Sequence, residues 1–198
     1  MKRIFTRAAL ALALLAGGTQ AALAQDFEAP KYHLGIRAGY SETNVLHDFH
    51  LDSHGDRNRQ SFVAGIDFDY RIVSRPLYLE TGLYGSNRGV DVRDGSRRYA
   101  ENNFALMVPV LLSYHFLADE KFNIDPFVGP YFAYNCGFKQ MDYGLRFGCG
   151  FVVKQVTLHL GCDLGLKDEM FHNEQGERQD DGLLTSLYVT LGWNFLSK

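Results

Sequence analysis

The feature that most constrains this chain is an alternation of apolar and polar residues with a period of two. In a β-strand successive side chains point to opposite faces, so this period predicts strands rather than helices. Each alternating segment is about ten residues long, and turn-forming residues separate the segments. The eight segments lie at 32–41, 61–71, 77–86, 104–115, 127–136, 144–151, 156–166 and 187–195. The sequence therefore predicts an all-β chain.

The connections between these segments alternate in length. Those at 72–76, 117–123 and 154–155 are short, whereas those at 42–60, 87–103 and 167–182 are long and polar. Only one connection on the long side, at 137–142, is short. Short turns at one end and long loops at the other are typical of outer-membrane barrels, with the turns in the periplasm. We therefore predict an eight-stranded antiparallel up-and-down transmembrane barrel, the architecture of OmpA-like membrane domains, in the cell outer membrane.

The two faces of each predicted strand differ in polarity. One face is almost purely aliphatic or aromatic, and the other mixes glycine with charged residues. In a membrane barrel the apolar face meets lipid and the polar face lines the lumen. Buried charges are tolerated only when they are paired, so we predict a structural ion network that fills a narrow lumen. A small pore gated by rearranged ion pairs is the alternative. The predicted lumen charge network is Arg37, Asp67, Asp69, Glu80, Arg146, His159 and Asp163.

Aromatic residues favour the membrane barrel over a lipocalin-like soluble barrel, the other eight-stranded possibility. They cluster near both ends of the predicted strands, where transmembrane barrels carry aromatic girdles. A soluble barrel leaves this placement unexplained. The predicted girdle residues are Tyr32, Tyr70, Tyr114, Trp193 and Phe195 at the periplasmic end, and Tyr40 and Phe62 at the outer end.

The first residues predict export. Lys2, Arg3 and Arg7 precede an apolar run, and Ala22-Leu23-Ala24 is a small-x-small cleavage site. We predict a signal peptide at 1–24, a short lead at 25–31 and the barrel domain at 32–198. Cleavage removes three of the 20 Lys and Arg residues and none of the 23 Asp and Glu residues, which leaves a formal charge of −6. Such an acidic chain is a poor candidate for binding nucleic acid.

Four stretches carry a family resemblance. The string LMVPVLLSY at 106–114 resembles the LEIPLLLKY stretch of the PorT-like, porin-family outer-membrane β-barrel domain. The string PFVGPY at 126–131, the glycine pattern at 144–150 and the ending LGWNF at 191–195 fit the same family. Met107 lies where members of that family usually have an acidic residue. The resemblance spans about 30–196 and implies fold and location, but hardly any function.

Histidines and carboxylates in the first long loop form a candidate metal site. A helical loop would align the histidines, but a solvated polar loop is the favoured interpretation because no second shell of supporting residues is evident. We therefore predict neither a metal nor another cofactor. The residues concerned are His47, His50 and His54 with Asp48, Asp52 and Asp56.

Three cysteines, Cys136, Cys149 and Cys162, lie thirteen residues apart on consecutive predicted strands. One disulfide is geometrically conceivable in an oxidising compartment. Because the cysteines are predicted to be out of register, we favour three free thiols that face lipid.

An enzymatic function is a further possibility, since some small outer-membrane barrels deacylate lipid A with a Ser-His pair. The candidates are Thr157, His159 and Asp163 on one inward face and Ser113 with His115 on another strand, without a G-x-S-x-G motif. We therefore predict no enzyme. The expected role is structural, adhesive or envelope-associated, with a narrow porin as the alternative and a lipid-modifying enzyme third. The expected partners are outer-membrane lipids, the barrel-assembly machinery during biogenesis and an envelope or extracellular protein that meets the acidic loop at 167–181.

Overall fold

A computed structural model describes residues 30–47, 50–51, 59–72, 76–88, 90–94, 97–101, 103–119, 122–137, 139–172 and 178–198. The predicted signal peptide lies outside these residues. Within them, no helix is long and apolar enough to cross a membrane. The strands are β1 (Tyr32–His47), β2 (His50–Leu51), β3 (Arg59–Arg71), β4 (Leu77–Asn87), β5 (Val90–Asp94), β6 (Arg97–Glu101), β7 (Phe104–Tyr114), β8 (Phe116–Asp119), β9 (Phe122–Asn135), β10 (Gln140–Val153), β11 (Val156–His172) and β12 (Arg178–Ser197).

Eight long strands close into a barrel. Their order is β10, β11, β12, β1, β3, β4, β7 and β9, and β9 pairs back with β10. Every pairing is antiparallel. Strands β2 and β8 are short additions beside β1 and β9, and β5 and β6 form a separate hairpin. Closure pairs both edges of every barrel strand. The predicted eight-stranded antiparallel barrel is therefore confirmed.

The strands at the long-loop end run further than the alternation predicts. Strand β12 has 20 residues and β11 has 17, so much of the predicted loop at 167–182 is strand. The pairing of β1 with β12 likewise continues to Leu46 and Leu183, inside the predicted loop at 42–60. The predicted loop bounds were wrong here because backbone pairing continues where the period-two pattern of apolar residues has ended. About ten residues suffice for a strand to span a bilayer, so the barrel extends beyond the membrane on this side.

The wall of the barrel is apolar outside and polar inside. Phe62, Leu187 and Leu191 expose 84, 61 and 60% of their surface, although all three are large apolar side chains. The inward positions between such residues are buried, and among them are Arg37 and Asp67. A water-soluble protein has the opposite distribution. The outer surface therefore matches a lipid environment.

Glycines let bulky side chains fit inside the narrow lumen. A Cβ atom on Gly161 would lie 2.4 Å from the Tyr188 ring, and one on Gly148 would lie 2.6 Å from the Phe127 ring. Both glycines lie on inward positions, where any larger residue would collide with these rings. The lumen is consequently packed with side chains, as an eight-stranded interior is expected to be.

Candidate functional site

The lumen charges form layers, and the first layer is centred on Arg37 of β1. Its guanidinium donates to Glu80 Oε1 at 2.6 Å, and its Nη2 lies 3.0 Å from Asp67 Oδ2 and 3.9 Å from Asp69 Oδ2. His159 Nδ1 lies 2.9 Å from Nη1 of the same guanidinium. All five side chains are buried. They meet because alternate residues of neighbouring antiparallel strands share the inward face.

This first layer holds more acid than base. One guanidinium faces three carboxylates, and Asp125 is a fourth buried carboxylate of the lumen. Within the described part of the chain, the Oδ1 atoms of Asp67, Asp69 and Asp125 have no hydrogen-bond partner. Removing one of these carboxylates therefore still leaves Arg37 paired.

The second layer is a one-to-one ion pair between Arg146 of β10 and Asp163 of β11. These residues are direct cross-strand partners. Nε and Nη2 of Arg146 donate to the two carboxylate oxygens of Asp163 at 2.6 and 2.8 Å. The guanidinium also lies between two aromatic rings, 5.4 Å from the centre of Tyr84 and 4.6 Å from that of Tyr188. Cation–π contacts of this kind are strongest when water is excluded.

A third layer lies nearer the long-loop end, and sequence reasoning missed it. Arg88 is only 1% exposed and donates to Asp142 Oδ2 at 2.5 Å and to the Tyr131 hydroxyl at 3.2 Å. Its guanidinium also stacks 5.2 Å from the Tyr131 ring centre. The sequence did not identify Arg88 because it lies in a predicted loop, where no alternation of apolar and polar residues indicates which side chains point into the lumen. Asp142 could have been found, since it continues the inward parity of Gly144 and Arg146.

A small cavity lies between the first and the second layer. Its volume is about 10 Å³, which is about the room that one water molecule needs. It is lined by Arg37, Val63, Glu80, Tyr84, Leu111, Arg146, Tyr188 and Thr190. The seven residues of the predicted lumen network are all buried in the lumen, in the first two layers around this cavity.

The short-turn end of the lumen is closed by a second set of side chains. The rings of Tyr78 and His115 stack with their centres 3.9 Å apart, and the Tyr78 hydroxyl donates to the Pro30 carbonyl at 2.6 Å. Ser113 Oγ lies 3.4 Å from His115 Nε2, and Asp125 Oδ2 lies 3.9 Å from the same nitrogen.

Ser113 and Asp125 thus face the same nitrogen of His115. In a catalytic triad, by contrast, the serine and the acid bind opposite nitrogens of the histidine. Ser113 is also fully buried. In the other candidate set, Asp163 is bound to Arg146, and His159 contacts Arg37 and stacks on Phe127. The structure therefore does not bring either set together as a triad.

The candidate metal loop lies largely outside the described residues, which exclude Asp48, Asp52, His54 and Asp56. The backbones of His47 and His50 are paired across β1 and β2 instead of following a helix. Over the described ranges, no group of three or more His, Cys, Asp or Glu side chains is arranged to hold a metal ion.

The three cysteines are free thiols in the structure. Cys162 is the cross-strand partner of Phe147, and Cys149 is that of Leu160. The two cysteines are thus two residues out of register, and neither is disulfide-bonded.

The predicted aromatic girdle residues lie at two heights on the outer surface. Tyr40 pairs with Phe62, and eight residues below it Tyr32 pairs with Tyr70. Eight residues of strand extend about 26 Å before tilt, comparable with the apolar band of about 25 Å in outer-membrane barrels. Trp193 and Phe195 are half exposed at the lower height, where Tyr114 ends β7.

A closed antiparallel barrel with lipid-compatible walls, aromatic residues at two heights and a charged lumen belongs to the class of small outer-membrane β-barrels. Its location is therefore the outer membrane. No family model and no curated protein matches the chain, so the PorT-like resemblance stays a prediction.

Solved structures of this class are similar to the chain at low identity. The attachment invasion locus protein Ail of Yersinia pestis is 13% identical, covers 84% of this chain and 99% of its own, and has a TM-score of 0.39. Neisserial surface protein A is 13% identical, with coverages of 85 and 100% and a TM-score of 0.46. The outer membrane enzyme PagL is 11% identical, with coverages of 81 and 99% and a TM-score of 0.47.

Proposed function

We propose that this protein is a non-conducting, non-catalytic outer-membrane barrel with a structural, adhesive or envelope-associated role. In this proposal the barrel is a rigid base, and the function lies in the segments that it holds beyond the membrane. The observation that carries the proposal is the packing of side chains across the lumen in the described part of the chain. Three layers, centred on Arg37, Arg146 and Arg88, lie there, with a cavity of about 10 Å³ between the first two.

Ordered contacts at the outer end support a display role. The Arg88 amide donates to the Asn103 carbonyl at 2.7 Å, which joins the two ends of the β5–β6 hairpin. The Asn103 side chain accepts from the Gly137 amide at 3.0 Å, and the Asn103 amide donates to Asn87 Oδ1 at 3.1 Å. Asn103 is fully buried. The base of the hairpin is therefore fixed to the barrel and to the β9–β10 turn.

The absence of catalysis is part of the proposal. Support comes from Ser113 and Asp125, which face the same nitrogen of His115, and from Asp163, which is committed to Arg146. A nucleophile also needs access to its substrate, whereas Ser113 and Thr157 are both buried. Mass analysis of lipid A from cells with and without the protein tests this point, and we expect identical spectra. A change in acylation that disappears in Ser113→Ala would instead establish a lipid-modifying enzyme.

The display role is tested by replacing residues 90–101 with a short Gly-Ser turn while the barrel stays intact. A heat-dependent shift on an unboiled gel verifies folding. Crosslinking of intact envelopes, followed by pull-down, then compares captured proteins for the two chains. We expect specific partners of the wild type to be lost from the variant. A replacement of Gln155 by Gly in the β10–β11 turn, at the opposite end, is the control and should keep them. Equal capture by all three chains would contradict the display role.

A further inference from the structure

Three lysines lie at the short-turn end on neighbouring strands, and we call them the basic arc: Lys31, Lys154 and Lys198. Lys31 precedes β1, Lys198 follows β12, and Lys154 lies in the β10–β11 turn. These strands are neighbours in the barrel, in the order β10, β11, β12 and β1. Backbone bonds fix the arc, since the Lys31 amide donates to the Lys198 carbonyl and the Arg71 amide to the Lys31 carbonyl, at 2.5 and 2.8 Å.

The arc concentrates positive charge on a chain whose formal charge is −3. The side chains of Lys31, Lys154 and Lys198 are exposed. Among the side chains that the structure describes at this end, none is an exposed carboxylate, because Asp69 and Asp125 are buried. The acidic turn at 119–121, which also contains a lysine, lies outside those side chains.

Aromatic side chains place the arc at the depth of lipid headgroups. The ammonium group of Lys31 lies 5.9 Å from the centre of the exposed Tyr70 ring. Trp193 and Phe195 are half exposed near Lys154, whose neighbour Gln155 accepts from the Asn194 amide at 2.8 Å. Tyrosine and tryptophan mark the membrane–water interface. The lysines lie immediately beyond these rings, where phosphate groups of the lipids are found.

The backbone conformation at Lys154 provides a matched control for the arc. Its φ is 57°, in the left-handed region that two-residue hairpin turns normally fill with glycine or asparagine. Lys139, with a φ of 51°, has the same conformation in the β9–β10 turn at the opposite end of the barrel. The two lysines therefore form a matched pair that differs in position.

We propose that the basic arc binds the headgroups of anionic phospholipids in the leaflet that faces the short turns. Ammonium groups donate to phosphate oxygens, and attraction to an anionic membrane surface amounts to about 1 kcal/mol per lysine or arginine, or about fivefold in affinity per residue. Zwitterionic phosphatidylethanolamine carries no net charge, so the arc should select phosphatidylglycerol. This lipid surface is a partner beyond the structural role proposed above.

The test is native mass spectrometry of barrels reconstituted with an equimolar mixture of phosphatidylethanolamine and phosphatidylglycerol of the same acyl chains. We expect the wild type to retain phosphatidylglycerol preferentially. Lys154→Asn should lower that preference about fivefold, and added salt should lower it as well. Lys139→Asn is the control, with the same backbone conformation and the same charge change, and it should retain the wild-type preference.

Asparagine tolerates the left-handed region, so both variants should fold, and the gel shift verifies this. The exposed lysines Lys31 and Lys198, changed together to Gln, provide a second variant that should also lose the preference. Equal retention of the two lipids by the wild type would overturn the proposal, and so would equal effects of Lys154→Asn and Lys139→Asn. A wild-type preference for phosphatidylglycerol that added salt leaves unchanged would overturn it as well.

Discussion

Arg146 and Asp163 form a bidentate ion pair between directly opposed residues of β10 and β11, with donor–acceptor distances of 2.6 and 2.8 Å. Both side chains are buried. The geometry contrasts with Arg37, which shares three carboxylates. The two arginines therefore respond differently to the loss of an acid, and this difference is measurable.

Asp163→Asn should be strongly destabilising, because it leaves the buried Arg146 guanidinium without its counter-charge. Breaking a buried pair in this way costs about 3–5 kcal/mol. Urea unfolding in lipid vesicles, followed by the gel shift, measures the change. The double variant Arg146→Met/Asp163→Leu removes both charges and should recover most of the stability. If the double variant were as unstable as Asp163→Asn, packing rather than charge would explain the loss.

Asp69→Asn should cost less than about 1 kcal/mol, the range of substitutions that break no essential partner. Asp69 is the most distant carboxylate of Arg37, at 3.9 Å, whereas Asp67 and Glu80 lie at 3.0 and 2.6 Å. The same urea titration measures this variant beside Asp163→Asn. A loss of stability as large as that of Asp163→Asn would show that Arg37 needs Asp69 as a partner, and would contradict the description of the first layer.

Arg88→Leu should loosen the base of the β5–β6 hairpin while the barrel stays closed. The substitution removes the contacts to Asp142 and Tyr131 and leaves Asp142 buried without its partner. We expect limited proteolysis to cleave within 90–101 faster than in the wild type, because cleavage follows local opening. Mass spectrometry locates the cut. An unchanged cleavage rate, in a variant whose gel shift on heating matches the wild type, would contradict this role of Arg88.

Gly39→Ala should destabilise the barrel by about 1–3 kcal/mol, the usual cost of overpacking. A Cβ atom at Gly39 would lie 1.9 Å from the Val189 carbonyl oxygen, so the backbone of β12 would have to move. Gly85→Ala is the control, since the nearest atom to a Cβ there is on the Phe104 side chain, at 2.9 Å, and the nearest backbone oxygen is 4.0 Å away. Urea midpoints of the two variants should differ clearly. Equal midpoints would mean that the β1–β12 contact is looser than described.

Parity along the strands predicted which side chains face the lumen, but not which of them meet. Arg146 and Asp163 share the inward face by counting residues, yet their pairing depends on the register set by the β10–β11 turn at Lys154 and Gln155. The sequence pattern does not fix the length of that turn, so the register of the two strands is uncertain by one or two residues. The alternation therefore predicted which residues belong to the network, but not how they divide into layers.

The alternation could not predict the orientation of Arg88, because Arg88 follows β4 in a segment where apolar and polar residues do not alternate. Its position depends on long-range contacts with Tyr131 and Asp142, which no local pattern contains. The extensions of β11 and β12 beyond the predicted strands at 156–166 and 187–195 were missed for a related reason. Outside the membrane no face is required to be apolar, so backbone pairing persists without a hydrophobic signal.

The closed lumen is the central claim, and single-channel recording in planar bilayers tests it most directly. The folded wild-type barrel should give no conductance steps in concentrated potassium chloride, whereas a general porin in a separate bilayer of the same lipid should give them and so verify the bilayer. We expect no steps from the barrel because the described side chains around Arg37, Arg146 and Arg88 lie across the lumen, with a cavity of about 10 Å³ between the first two layers. Sustained steps from the wild type that disappear when the protein is unfolded would contradict the account and establish a narrow porin.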